Sequence, residues 1–315
     1  MPQGATTEGV ACISDPARRA LLARYLDGAL SGEMTLMYWL KAVPDIDALR
    51  RQLGEAIKVC THVGSAGAVA HSLESLSALI ERNYEGCDRI ARMLRSGVDS
   101  DQPACSVAEG IAFCRTLFDW SVEQSSESSV ALYSLANTQI LDAATTEIVE
   151  LLREWQVVGP DRDLLEIGCG IGRFPKALSA EVKSVTGIDV SPNMIGAARD
   201  HCAGLLNVTL LECSGLDLAS FADACFDLVF AVDSFPYLYR SGMPLVERHF
   251  TEARRVLRRG GDFVILEFSY RDSIDLDRVD VHRLAAASGF EVQVSGTQPF
   301  SLWDGAAFHL ASKKS

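Results

Sequence analysis

The sequence predicts an α/β fold, a mostly parallel sheet with helices on both faces, preceded by an additional all-helical N-terminal lobe. Three observations predict it. From Asp15 to about Trp120, apolar residues return every three or four positions and strand signals are almost absent. From about residue 140, short apolar runs alternate with helical stretches, the pattern of a parallel sheet. Between the two, Ser121 to Ser129 is polar and serine-rich and reads as a hinge or surface connection. The lobes are therefore placed at 1–125 and 126–315. A chain of 315 residues, 48% apolar and 23% charged, has enough apolar surface for two cores.

In the N-terminal lobe, Asp15 followed by Pro16 reads as an N-cap with proline in the first turn, leading into Ala20, Leu21, Leu22, Tyr25 and Leu26. Thr35 to Trp39 is an apolar, aromatic helix, either core or the lining of an acceptor pocket. Val69, Leu73, Leu76, Ile80 and Tyr84 form one buried stripe with Glu74 and Glu81 outside it. After the join, Asp142 to Trp155 forms a helix that Gly159-Pro160 terminates. Strands follow at Leu164–Ile167, Ser184–Asp189, Val208–Leu211 and Leu228–Val232, with helices from about Phe174 and Pro192.

Composition excludes several classes of function. The formal charge is −13, and Lys+Arg against Asp+Glu is 12 to 17 before residue 140 and 17 to 25 after it. Neither half carries the basic footprint of a nucleic-acid partner. No apolar run approaches the ~18 residues of a membrane span, and no basic-then-apolar leader is present, so a cytoplasmic location is expected. The nine cysteines (12, 60, 87, 105, 114, 169, 202, 213 and 225) include no C-x-x-C pair and no zinc spacing. They read as reduced, buried, apolar residues, and no metal is expected.

The chemistry gathers after residue 160. Leu164-Leu165-Glu166-Ile167-Gly168-Cys169-Gly170-Ile171-Gly172 joins an apolar strand to a helix through three glycines at spacing two. Glycine suits this turn because it takes positive φ and lets a ligand approach the main chain. A dinucleotide loop would place its third glycine where Arg173 stands, which argues against NAD. Seventeen residues after Gly172, Asp189 ends the strand Val185-Thr186-Gly187-Ile188. A carboxylate at that strand tip can accept both ribose hydroxyls of a nucleoside cofactor. Ser191-Pro192 already supplies the cap of the next helix, so Asp189 is free for ribose.

Glu166-x-Gly168-x-Gly170-x-Gly172, Asp189, Phe226-Asp227-Leu228-Val229-Phe230 and Arg255 to Gly261 resemble, in order and spacing, the class I S-adenosylmethionine-dependent methyltransferases. The resemblance covers roughly residues 140 to 315. It implies a Rossmann-like sheet of seven strands whose last is antiparallel, with Glu291–Val294 and Ala306–Ala311 as the final hairpin. It implies S-adenosylmethionine as cofactor, with Glu166, Gly168 and Gly170 around its methionine end and Asp189 on the ribose. Met194 would lie against the adenine, which the backbone of Gly215 and Leu216 would also touch. Cys169, Val190 and Val232, flanking these positions, complete the implied set. Asp217 reads as a turn residue only.

In this family the acceptor meets the methyl at the end of the fourth strand, here Asp233 to Leu238. Asp233 and Tyr237 are the local candidates for a base, and Glu267, after the strand Phe263 to Leu266, points to the same open edge. Ser234-Phe235-Pro236-Tyr237 is similar to the amine-holding (Asp/Asn/Ser)-Pro-Pro-(Tyr/Phe) box but lacks its first proline; otherwise its aromatics roof the pocket. His249 reads as a surface or helix-end residue. Trp303, in the loop Phe300 to Gly305, faces acceptor or core, and Tyr133 is a candidate lid residue reaching the cofactor carboxylate. The expected function is O- or N-methylation of a small metabolite. S-methylation of a thiol or thioether, and a non-catalytic cofactor sensor, remain alternatives, and the helical lobe is expected to cover the acceptor or form a homodimer contact.

Overall fold

The computed structural model describes residues 15–62, 67–96 and 106–313. Cys12 and Cys105 lie outside the described residues; Cys60, Cys87, Cys114, Cys169 and Cys202 are buried thiols. The chain divides into two compact units. One takes Met1–Ser100, Gln124–Ala144 and Ser301–Asp304; the other takes Asp101–Glu123, Thr145–Phe300 and Gly305–Ser315.

The first unit is helical. Its elements are α1 (Pro16–Leu26), α2 (Gly32–Ala42), α3 (Ile46–His62), α4 (Gly67–Arg82) and α5 (Tyr84–Arg95). Asp15 caps α1 through its side chain, accepting from Arg18 N at 2.9 Å. Trp39, Leu36, Leu40, Leu49, Leu73 and Ile90 build the core. The stripe Leu73, Leu76, Ile80 is buried and Glu74 and Glu81 are exposed, whereas Tyr84 does not continue it. Asn83 breaks the helix there, its Nδ2 donating to Leu79 O at 2.9 Å, and Tyr84 starts α5.

The second unit contains α6 (Val107–Gln124) and a seven-stranded sheet. The strands are β1 (Asp163–Ile167), β2 (Ser184–Asp189), β3 (Val208–Glu212), β4 (Phe226–Val232), β5 (Leu257–Leu266), β6 (Phe290–Thr297) and β7 (Ala307–Ser312), in the order β3-β2-β1-β4-β5-β7-β6. The first five run parallel; β7 is antiparallel to both β5 and β6. This is the expected seven-stranded Rossmann-like fold. The strand order reverses between β1 and β4, and in open sheets of this kind the crevice beyond the carboxyl ends at that switch point is where ligands bind.

Helices α9 (Arg173–Leu178), α10 (Pro192–His201), α11 (Phe235–Ser241), α12 (Met243–Val256) and α13 (Ile274–Ser288) connect the strands. Two more lie ahead of β1: α7 (Ser126–Val130), which belongs to the helical unit, and α8 (Thr138–Glu154), which begins in the helical unit and ends in that of the sheet. Phe235, Phe250, Phe263, Phe268, Phe290 and Phe308 anchor the core; Phe235 meets Phe250 and Phe263 edge to face at 5.9 and 5.8 Å. At the opposite end from the glycine loop, Arg258 spans the carboxylates of Asp227 and Asp163, so the Phe226-Asp227 element braces strand starts.

Two expectations are corrected. The Ser121–Ser129 segment is helical on both sides of Ser125, and Ser121, Ser125, Ser128 and Ser129 are buried. Serine tolerates this because its hydroxyl bonds the local backbone: Ser125 Oγ caps α7 and Ser129 Oγ donates to Ser126 O at 2.7 Å. A single cut at residue 125 also misplaces α6, whose contacts assign it to the unit of the sheet.

Candidate active site

Glu166 lies in β1, a strand otherwise apolar, and is 1% exposed. Burial pushes its carboxyl well above the ordinary glutamate value; Arg173 opposes that and Asp189 adds to it. The loop after β1 returns over the tip of β2, with the N–H groups of Gly168 and Cys169 both donating to Ile188 O at 2.8 and 2.9 Å. Gly168, at φ +75°, has no room for a side chain, since a Cβ there would lie 2.5 Å from Ser234 Cβ. Cys169 fills the space above Gly187, where a Cβ would meet its Sγ at 2.9 Å.

Asp189 is the hub of this loop. Its Oδ2 accepts from Gly170 N and its Oδ1 from Ser191 N, each at 2.9 Å. Burial raises its carboxyl while those N–H groups pull it back down. The Val190 N–H also faces this carboxylate, which keeps lone-pair capacity for a further donor. Met194, 1% exposed, sits in the capped first turn of α10, Ser191 Oγ accepting from its N–H at 3.0 Å. Gly215, at φ +73°, packs against Val190, and Leu216 stands exposed beside it. Asp217 Oδ1 accepts from Ala219 N at 3.2 Å, a turn contact.

The acidic candidates sit at the carboxyl edge of β4 and β5. Val232 and Leu266 are register partners, and each is followed by an acid in left-handed backbone, Asp233 at φ 55° and Glu267 at φ 67°. That conformation is disfavoured for residues with a Cβ, so both positions store strain, as functional sites often do. Asp233 Oδ1 accepts from Tyr270 OH at 2.6 Å, and Glu267 Oε2 accepts from Ala306 N at 2.9 Å. Enclosure of the hydroxyl end and the nearby Asp233 charge hold the Tyr270 phenol well above its ordinary value. The Tyr237 ring lies edge-on to both Phe118 and Tyr270, at 4.9 and 5.8 Å.

His249 is corrected from surface to core. It is 2% exposed on α12, its Nδ1 2.9 Å from Leu245 O, and burial depresses its basicity. Tyr133 and Trp303 belong to the helical unit, where their rings stack at 6.2 Å.

A methyltransferase-domain family model matches residues 165–265. Among curated relatives, demethylmenaquinone methyltransferase of Tropheryma whipplei is 33% identical over 108 residues, 34% of this chain and 42% of that protein. Phosphoethanolamine N-methyltransferase 3 of Arabidopsis thaliana is 31% identical over 126 residues, 39% and 24%. The matched segments thus span less than half of either relative. Among solved structures, Haemonchus contortus phosphoethanolamine N-methyltransferase 1, in complex with phosphoethanolamine and S-adenosylhomocysteine, superposes with a TM-score of 0.56 at 18% identity. It covers 67% of this chain and 50% of that one. Residues 165–265 thus match a methyltransferase domain, and the chain shares its fold with the Haemonchus contortus enzyme.

The sequence pattern announces α6 as a helix but not its place, which is along the carboxyl edge of the sheet. Asp119 Oδ1 accepts from Ser191 Oγ at 2.6 Å and from Asn193 N at 3.1 Å, and Glu123 accepts from Asn193 Nδ2 at 2.9 Å. Arg115 pairs with Glu212, Ile111 reaches Gly215, Phe118 meets Tyr237, and Gly110 lies against Ser241. One helix therefore touches the ends of β2, β3 and β4. Helical periodicity announces α6 but does not say which sheet it packs on. Tyr270 was missed because a lone exposed tyrosine after a strand carries no pattern.

Among the described residues, no helix is long and apolar enough to cross a membrane, and no group of His, Cys, Asp and Glu is arranged for a metal.

Proposed function

We propose that this protein transfers a methyl group from S-adenosylmethionine to an oxygen or nitrogen of a small metabolite, with Asp233 as the base. The observation that carries the reading is the strained Asp233 at the β4 edge, its carboxylate held by Tyr270 OH at 2.6 Å. A phenol whose proton is held this firmly stays a donor, so Asp233 is kept as an oriented acceptor.

The residues present fit the cofactor. Glu166 Oε2 is buried without a hydrogen-bond partner, which suits a cationic donor at the methionine end. Asp189 offers its remaining lone pairs to ribose hydroxyls, and Met194, Val190, Gly215 and Leu216 supply apolar side chains and backbone for an adenine. Gly168, Cys169, Gly170 and Val232 would line the methionine end. The cofactor supplies an electrophilic sulfonium methyl for in-line displacement. The chain's own task is to align the acceptor, exclude water and take a proton. Asp233 takes it, while Tyr237 and Phe118 form an aromatic wall and Glu267 adds a second negative charge.

Relatives named for demethylmenaquinone, sterols and phosphoethanolamine support a small-molecule acceptor. The test is calorimetric titration of S-adenosylmethionine and S-adenosylhomocysteine into wild type and Asp189→Ala, then a methyl-release assay with pooled metabolites. Binding that is lost in Asp189→Ala, with turnover in one pool, is expected. A well-folded wild type that binds neither compound would overturn the reading.

A further inference from the structure

Glu166 and Arg173 bracket the glycine loop, and each carries an atom that the fold leaves without a hydrogen-bond partner: Glu166 Oε2 and Arg173 Nη1. Both side chains are buried, at 1% and 7% exposure. A carboxylate and a guanidinium out of water are costly unless satisfied, and two such groups so close in the chain would ordinarily close on each other. Here those two atoms do not meet.

Their placement follows from the sheet. Glu166 is the register partner of Phe230 across β1 and β4, so the two side chains project from the same face. Phe174 meets Phe230 edge to face at 6.3 Å, and the Arg173 guanidinium lies over the Phe174 ring, 4.4 Å from its centroid. The aromatic pair thus props the cation on the face that carries the acid, with the loop of Gly168, Gly170 and Gly172 between them in sequence. A ligand able to satisfy both ends must itself present a cationic donor and an anionic acceptor a few ångströms apart. An α-amino acid zwitterion does so.

We propose that Arg173 anchors the α-carboxylate of the cofactor's methionine end while Glu166 holds its α-ammonium. The proposal rests on the S-adenosylmethionine reading and adds to it Arg173, the residue that displaced the third glycine of a dinucleotide loop. Bidentate guanidinium–carboxylate geometry makes arginine suited to that end.

The test is calorimetry on the full chain with three ligands: S-adenosylhomocysteine, its decarboxylated analogue, and 5′-methylthioadenosine, which lacks the amino-acid end altogether. Wild type is expected to bind S-adenosylhomocysteine at least about 10-fold more tightly than the decarboxylated analogue. Arg173→Met should weaken S-adenosylhomocysteine by about 10- to 100-fold and leave 5′-methylthioadenosine unchanged. Arg173→Lys should recover part of the loss. Equal weakening of both ligands in Arg173→Met would mean a structural role and overturn the clamp. The wild-type comparison needs no variant: if the decarboxylated analogue binds as tightly as S-adenosylhomocysteine, the carboxylate has no anchor and the clamp is overturned even if Arg173→Met fails to fold. Wild type that binds none of the three overturns the cofactor reading itself.

Discussion

Gly168→Ala puts a methyl group where the glycine loop crosses the end of β4. At φ +75° the added Cβ would lie 2.5 Å from Ser234 Cβ and 3.0 Å from Ser234 Oγ. Two costs add. Left-handed backbone costs a residue with a Cβ about 1–2 kcal/mol, and the forced displacement in a packed site costs about 1–3 kcal/mol, so a loss of about 2–5 kcal/mol is expected. Ser234→Gly removes the obstructing atoms but also the bond from Ser234 Oγ to Ile167 O at 2.7 Å, about 1 kcal/mol on its own. In the double variant only the backbone part of the Gly168→Ala cost survives. The pair should therefore be about 1–3 kcal/mol less destabilised than the sum of the singles. Urea unfolding followed by circular dichroism measures all four corners of the cycle. Additivity to within about 0.5 kcal/mol would refute the claim that Ser234 is what excludes a side chain at position 168.

Further outcomes follow from the same geometry. Glu166 titrates above 4.5 in the folded chain because it is buried, so the folded state holds this proton more tightly than the unfolded state does. Wild type should therefore lose stability relative to Glu166→Gln as pH rises from that ordinary value through the raised one, with the variant the more stable at neutral pH and the gap closing toward pH 4. Melting temperatures across pH measure the gap, and a pH-independent difference would contradict the assignment. Asp119→Ala removes the bonds to Ser191 Oγ and Asn193 N, at 2.6 and 3.1 Å, and should ease local opening of α6 by about 1–3 kcal/mol. Faster amide exchange confined to Val107–Gln124 is the expected signature; unchanged protection there would remove Asp119 as a latch. Once an acceptor is in hand, Asp233→Asn should lower kcat by about 10²–10⁴-fold without changing S-adenosylhomocysteine affinity. Undiminished turnover would make Asp233 an anchor rather than a base.

The sheet was legible because its signals are local. Apolar strands ending at Ile167 and Asp189, a glycine-rich turn and a capped helix at Ser191-Pro192 are each written in consecutive residues, and the structure places them where the pattern does. The serine-rich join misled for a physical reason. Composition marks polarity, but Ser125 and Ser129 satisfy their hydroxyls within one helical turn and so cost little to bury. His249 misled similarly, since its bond to Leu245 O is internal to a helix and leaves no trace in spacing. What could not be read were contacts between distant segments: α6 against Ser191, Gly215 and Tyr237, or Tyr270 against Asp233. Those depend on which surfaces meet, and one amphipathic helix in sequence looks much like another.

The division of the chain bears on the order in which it can fold during synthesis. The helical unit contains the first described helix, yet four of its residues, Ser301–Asp304, come after six of the seven strands. Tyr38 OH donates to Asp304 Oδ2 at 2.9 Å and Ser31 Oγ to Leu302 O at 3.1 Å, so bonds of the earliest helices wait for some of the latest residues. A nascent chain halted before residue 301 holds α1 to α5 without those partners, and one halted before Ala307 lacks the strand between β5 and β6. Neither unit is complete on the ribosome until nearly all of this chain has emerged, which makes fragments ending between the two units poor candidates for independent expression.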